Sequence, residues 1–161
     1  MALVGLDGTV KQGKPSTELA LHLEVYKRCP EARAVVHAHP PTAIAWTVAR
    51  TDLEQLPVDS VGEVILATGG IPIVPYATPG TEELANAIGK FLPVRRALIL
   101  ARHGALTWGT SLQEAYNGME RIEHSALILF RATQLGGLTP LPHKELKRLE
   151  AMREKMGPTL L

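Results

Sequence analysis

The stretch VVHAHPP, residues 35 to 41, sets His37 and His39 two positions apart at the end of an apolar run. On a strand, the side-chain period of two points both imidazoles to one face, about 6.5–7 Å apart along the backbone, within reach of one shared ion. Zinc takes imidazole nitrogen at about 2.0–2.1 Å, and catalytic zinc sites have three protein ligands and one open position, so a third donor is required. His103 is the best candidate, because ALILARHG (97–104) repeats the pattern of an apolar strand ending in histidine, and Gly104 permits a sharp turn there. The alternative is that His37 and His39 are buried, hydrogen-bonded core residues. The remaining three of the 6 histidines, His22, His124 and His143, fall on expected helices, where a surface or hydrogen-bonded role is the ordinary one. His22 follows Glu18 by four residues, a spacing that lets it support the carboxylate from behind.

The elements that must position these groups read as follows. MALVGLDGTVKQG has the form of a hairpin, with Asp7-Gly8 supplying the positive φ values of a tight two-residue turn. After Pro15, Ser16 can cap a helix that has Glu18 in its first turn, Leu19, Leu23 and Tyr26 at helical spacing, and an end near Cys29-Pro30. Ala34 to Ala38 is strand-like, and Pro40-Pro41 stops it and opens a short helix through Ile44, Trp46 and Val48. Strands are expected at Val64 to Ala67, Ile71 to Val74 and Ala97 to Ala101, with a helix from about Thr81 to Phe91. Ser111-Leu-Gln-Glu114 is a capping box for a long helix that Gly136-Gly137 can stop, and a basic helix spans about His143 to Met156. The Asp7-Gly8 hairpin and the short link at Gly69-Gly70 suggest antiparallel pairs within a layered sheet.

A chain of 161 residues with 45% apolar content is about one domain long and can bury a core without disulfides. Its 17 basic and 16 acidic residues nearly cancel and no Lys/Arg run exceeds two, which argues against a nucleic-acid or membrane-surface footprint. A charged substrate must therefore be recognised locally. The single cysteine, Cys29, excludes an internal disulfide and fits a reducing compartment. Nothing reads as a signal peptide or a bilayer-spanning run, so a soluble cytoplasmic protein is expected.

Four segments in order, KPSTE (Lys14 to Glu18), VVHAHPPTA (Val35 to Ala43), PYATPGTEELA (Pro75 to Ala85) and RHGALTWG (Arg102 to Gly109), followed by SLQEAYNGMERIEHSA, make the chain resemble the class II aldolase/adducin family. The likeness runs from about Leu3 to Ala132 and is strongest to the L-fuculose-1-phosphate aldolase branch. The resemblance implies a three-layer α/β/α fold with a mostly antiparallel central sheet. It also implies a Zn2+ held by His37, His39 and His103, and a homotetramer with active sites at subunit interfaces. It places the branch's carboxylate on Glu18 and assigns a second proton carrier to Tyr76, reaching across from a neighbouring subunit. By their residue types, Ser16 and Thr17 offer hydroxyls beside free backbone N–H groups for a substrate phosphate.

Retro-aldol cleavage of a ketose 1-phosphate leaves negative charge on oxygen, which a divalent cation stabilises as a Lewis acid while Glu18 moves the proton at C3. On their own, Glu18 is also an ordinary residue for a helix start and Tyr76 an ordinary interface or core aromatic. Relatives of this kind carry an N-terminal region that completes the phosphate pocket. Here the chain opens almost at the hairpin, so a stretch on the order of 40–50 residues of the domain is expected to be missing, with weak affinity for sugar phosphate as the consequence. Competing readings within the family are a pentulose-phosphate 4-epimerase, which typically has Asp where Glu18 stands, and a sugar-phosphate dehydratase. A non-catalytic adducin-like interaction module is the reading from a different class. A barrel hydrolase would need a longer chain.

Overall fold

Two short antiparallel strands, β1 (Leu3–Val4) and β2 (Val10–Gln12), open the computed structural model, which describes residues 1–157, 159 and 160. Their turn differs from the two-residue form expected at Asp7-Gly8. The Gly8 N–H donates to the Gly5 carbonyl at 2.9 Å and the Gly5 N–H to the Thr9 carbonyl at 2.8 Å, so Leu6, Asp7 and Gly8 together form the loop. Of these only Gly8 takes a positive φ, 86°, as in a type I turn followed by a left-handed glycine. Asp7 keeps φ negative and its carboxylate accepts the Thr9 N–H and hydroxyl instead.

There follow α1 (Leu19–Arg28), β3 (Ala34–Ala38), α2 (Pro41–Ala49), a single 3-10 turn (Val58–Ser60), α3 (Gly62–Thr68), β4 (Ile73–Val74), α4 (Glu82–Gly89), β5 (Ala97–Leu100), β6 (Gly104–Gly109), α5 (Leu112–Gln134) and α6 (His143–Met156). The main sheet has the order β3-β6-β5-β4, with β3/β6 and β6/β5 antiparallel and β4 parallel to β5. The expected mixed, mostly antiparallel sheet is therefore present. Two assignments change. Val64 to Ala67 lies in α3 rather than in a strand, since four consecutive apolar residues cannot distinguish a buried strand from a buried helix turn. Gly69, at φ 67°, caps that helix in the left-handed region, so the Gly69-Gly70 link joins a helix to β4 and not two antiparallel strands. The second change is β6, which the sequence reading does not assign; it is buried throughout and forms the centre of the sheet.

The sequence ALIL explains the layering. Ala97 and Ile99 face one side, packing with Ala43 and Trp46 of α2, Val64 and Ile65 of α3, and Met119, Ile122, Ala126 and Leu129 of α5. Leu98 and Leu100 face the other, with Leu106, Trp108, Leu21 and Val25 of α1, and Leu84 and Ile88 of α4. A strand covered by helices on both faces loses its polar alternation, which is why β5 reads as a continuous apolar run. Among the described residues no helix is long and apolar enough to cross a membrane.

Candidate metal centre

The antiparallel pairing of β3 with β6 sets His37 opposite Leu106 and Ala38 opposite Ala105, so the end of β3 lies beside the turn that joins β5 to β6. His37 is on the strand, His39 is one residue past it, and His103 is in the turn itself rather than at the end of a strand. The three rings nevertheless converge. Their centroids are 5.0 Å (His37–His39), 5.0 Å (His37–His103) and 5.3 Å (His39–His103) apart, and each offers a nitrogen within 4.8 Å of the others.

Gly104 makes this approach possible. A β-carbon there would lie 2.6 Å from the Ala38 carbonyl oxygen and 3.1 Å from both His37 Cε1 and His39 Cδ2, so any side chain would force the rings apart. The His37 ring is oriented by its Nδ1, 2.8 Å from the Ala105 carbonyl. A carbonyl can only accept, so Nδ1 carries the proton and Nε2 presents a lone pair, as in metal-bound histidines whose other ring nitrogen donates to a carbonyl. His37 Nε2 and His103 Nδ1 are buried without a hydrogen-bond partner, and so is Glu18 Oε2. Burying such groups unpaired is costly, and a cation would satisfy imidazole nitrogens and a carboxylate oxygen alike.

Electrostatics favours the neutral imidazoles that a metal needs. Burial depresses the pKa of His37, opposed by the Ala105 hydrogen bond and the Glu18 charge and assisted by His39. Burial likewise depresses His103, with His37 and His39 acting in the same sense and Glu18 against it. His22, whose ring centroid is 6.5 Å from that of His37, is lowered by burial and by His37 and raised by Glu18. It therefore stands behind the site rather than in it. His124 is an exposed residue of α5, and His143 begins α6.

Glu18 is buried immediately before α1, which starts at Leu19, so it lies at the helix boundary and not in the first turn. Ser16 does not cap the helix: its hydroxyl accepts the Glu18 N–H at 3.2 Å within a preceding turn, and both Ser16 and Thr17 are exposed. Tyr76 is 59% exposed on the loop after β4, outside the histidine cluster of its own chain. The same loop returns to Glu18 at Gly80, where a β-carbon would sit 3.5 Å from the Thr17 carbonyl and 3.8 Å from Glu18 Oε1.

Two anchoring residues escape the sequence reading. Pro40 and Pro41 carry no N–H, so the first free donors of α2 are those of Thr42 and Ala43, and both go to the Glu123 carboxylate at 3.0–3.1 Å. Thr47, in the same helix, accepts the Arg102 N–H at 2.8 Å. The prolines signal that an acceptor is needed; nothing local says that it lies 81 residues away. An apolar groove of about 430 Å³, lined by Ala38, Pro40, Tyr116 and Met119, opens beside His39. A larger cavity of about 720 Å³ lies apart from the triad, between α3 and α6, where Arg153 donates to the Leu66 and Ala67 carbonyls of α3 and Arg95 to the carbonyl of Gly69, just past its end.

Comparison with known proteins gives a consistent context. The model of the class II aldolase and adducin N-terminal domain matches residues 1–130. A 3-oxo-tetronate 4-phosphate decarboxylase of Escherichia coli is 36% identical over 136 residues, covering 81% of this chain and 62% of the relative. A 5-deoxy-D-ribulose 1-phosphate aldolase of Bacillus thuringiensis is 33% identical over 160 residues, 98% of this chain and 73% of the relative. A solved L-fuculose 1-phosphate aldolase superposes with a TM-score of 0.81 at 33% identity, over 96% of this chain and 71% of that one.

Proposed function

The chain belongs to the class II aldolase and adducin N-terminal domain family, and from that membership we propose that it is a divalent-metal-dependent lyase that cleaves a carbon–carbon bond beside the carbonyl of a phosphorylated sugar. The preferred reaction is the retro-aldol cleavage of a ketose 1-phosphate to dihydroxyacetone phosphate and an aldehyde. What carries this reading is the convergence of three imidazoles, two of them with an unpartnered buried nitrogen, beside a buried, unpartnered carboxylate oxygen of Glu18. Zinc, held by His37, His39 and His103, is the proposed ion, and it supplies a Lewis acid for the substrate's carbonyl and adjacent hydroxyl oxygens.

The remaining work falls to the chain. As the C3–C4 bond breaks, the C4 hydroxyl loses its proton and becomes the aldehyde carbonyl, while the bonding pair stays on C3 and is delocalised onto oxygen. The hydroxyl of Tyr76 from a neighbouring copy relays that proton, accepting it as its own passes to water, and Glu18 delivers one to C3 to complete dihydroxyacetone phosphate. The exposed hydroxyls of Ser16 and Thr17 are the proposed phosphate contacts. The family resemblance adds a homotetramer with its sites at subunit interfaces, and an exposed Tyr76 outside its own chain's cluster is free to serve such a site.

The relative from Escherichia coli supports a second reading, a decarboxylase of a phosphorylated 3-oxo acid. Both reactions leave an electron pair beside a carbonyl and need the same oxygen-charge stabilisation, but decarboxylation releases CO2 and has no C4 hydroxyl proton to remove. Zinc-loaded protein incubated separately with L-fuculose 1-phosphate and 3-oxo-tetronate 4-phosphate decides between them, read as aldehyde released from the first against CO2 released from the second, since dihydroxyacetone phosphate is the other product of both. Turnover of neither substrate, by protein carrying zinc, rejects both.

A further inference from the structure

The helix α2 lies between the two segments that carry the histidines. It starts two residues after His39 at the Glu123 carboxylate, and its Trp46 indole N–H donates to the Ala126 carbonyl at 2.9 Å, fixing it to α5. Two residues before its end, Thr47 is 3% exposed, donates its hydroxyl proton to the Ile44 carbonyl at 2.8 Å and accepts the Arg102 N–H at 2.8 Å. Arg102 has a φ of 58°, and among the described residues no other non-glycine has a positive φ. The left-handed region is unfavourable for a residue with a β-carbon, so surrounding structure must hold it there. His103 comes next in the chain, its own N–H donated to the Leu100 carbonyl at 3.1 Å.

We propose that Thr47 is a positioning residue for the divalent-ion site: by accepting the Arg102 N–H it holds the β5–β6 turn in its left-handed form and so aims His103 at His37 and His39. The inference rests on the reading of the triad as a metal site. Replacing Thr47 with valine keeps the branched shape and removes the acceptor. The Arg102 N–H then loses its acceptor, and the turn relaxes towards a conformation that carries the imidazole away. Thr68 provides a matched control. It is equally buried at 4%, its hydroxyl donates to the Val64 carbonyl at 2.8 Å and accepts the Gly70 N–H at 3.2 Å, but it ends α3 beside the separate cavity lined by Arg95 and Arg153.

Zinc affinity is measured by competition with a chromophoric chelator, alongside urea unfolding of the metal-free proteins. Thr47→Val is expected to raise the zinc dissociation constant roughly 10–100-fold, the range typical of lost second-shell support, and Thr47→Ser to restore it. Thr68→Val is expected to lose stability without losing zinc affinity. Wild-type affinity in Thr47→Val, equal weakening in Thr68→Val, or failure of Thr47→Ser to restore binding overturns the proposal. Should Thr47→Val not fold, hydrogen exchange in metal-free wild-type protein decides: the Arg102 amide is expected to be strongly protected, and exchange at the rate of an exposed amide overturns the clamp. A wild-type protein that binds no zinc rejects the metal reading itself, whereas binding by wild type with no loss in Thr47→Val rejects only the role of Thr47.

Discussion

At Gly104 one hydrogen in place of a methyl group lets three imidazoles meet. The obstacle to a larger residue is backbone, the Ala38 carbonyl 2.6 Å from the would-be β-carbon, and it cannot retreat without opening the β3–β6 pairing. Gly104→Ala is therefore expected to destabilise the protein by about 1–3 kcal/mol and to weaken zinc binding by more than tenfold, measured by urea unfolding and chelator competition. Tyr76→Phe separates the two proposed reactions. Removing the proton carrier lowers retro-aldol turnover by roughly 100-fold or more, whereas decarboxylation keeps its rate. Equal losses in both assays would remove Tyr76 from the proton-transfer role. Cys29 behaves differently from the histidines. Burial pushes its thiol up to about 11, partly countered by Arg96 and Arg28, so the reactive thiolate is scarce. A thiol reagent is expected to leave Cys29 unmodified in the native protein and to react with it fully in urea.

The elements divide according to how local their determinants are. The strand at 34–38, the helix opening at Pro41 and the helix at 143–156 are all where the sequence puts them, because proline and period speak within a few residues. The long helix α5 also starts as expected, with the Ser111 hydroxyl accepting the Glu114 N–H at 3.1 Å. Only half of the capping box forms, however, because the Glu114 carboxylate turns to the Thr110 N–H and hydroxyl and to Arg96. In α3 the local signal fails, since VILA fits a buried strand as well as a buried helix. The anchoring of α2 is equally non-local. Glu123→Ala deprives the Thr42 and Ala43 N–H groups of their acceptor and the helix of a negative charge at its positive end, at an expected cost of about 0.5–2 kcal/mol in urea unfolding. An unchanged midpoint would mean that water replaces the carboxylate fully.

Across the whole molecule, the Arg96–Glu114 pair joins the sheet to α5 at 2.8 Å, with side chains 3% and 8% exposed and the guanidinium 4.4 Å from the centre of the Trp108 ring. Glu114→Ala leaves Arg96 its second carboxylate, Glu31 at 3.0 Å, but takes the acceptor from the Thr110 and Leu160 N–H groups, and is expected to cost about 1–3 kcal/mol in urea unfolding. Burial raises the Glu114 pKa, but the N–H groups of Thr110 and Leu160, the Thr110 hydroxyl and Arg96 outweigh it and leave the pKa below its ordinary 4.5. Since the folded state binds this proton less readily than the unfolded chain, the stabilisation is complete above about pH 4.5 and is lost as pH falls through the lowered value. Glu114→Gln should accordingly show a deficit at pH 7 that shrinks towards pH 3. The sequence by itself determined the donor types, the H-x-H spacing, the glycine needed at 104 and the family motifs, because each is written in a few adjacent residues. Only the tertiary structure decided that β6 runs through the centre of the sheet, that the β5–β6 turn brings His103 to the end of β3, that Glu123 anchors the start of α2, and that Thr47 within α2 meets the Arg102 N–H. Those outcomes depend on register and packing between segments 55 to 81 residues apart, and such distant pairings leave no periodicity for a local reading to find.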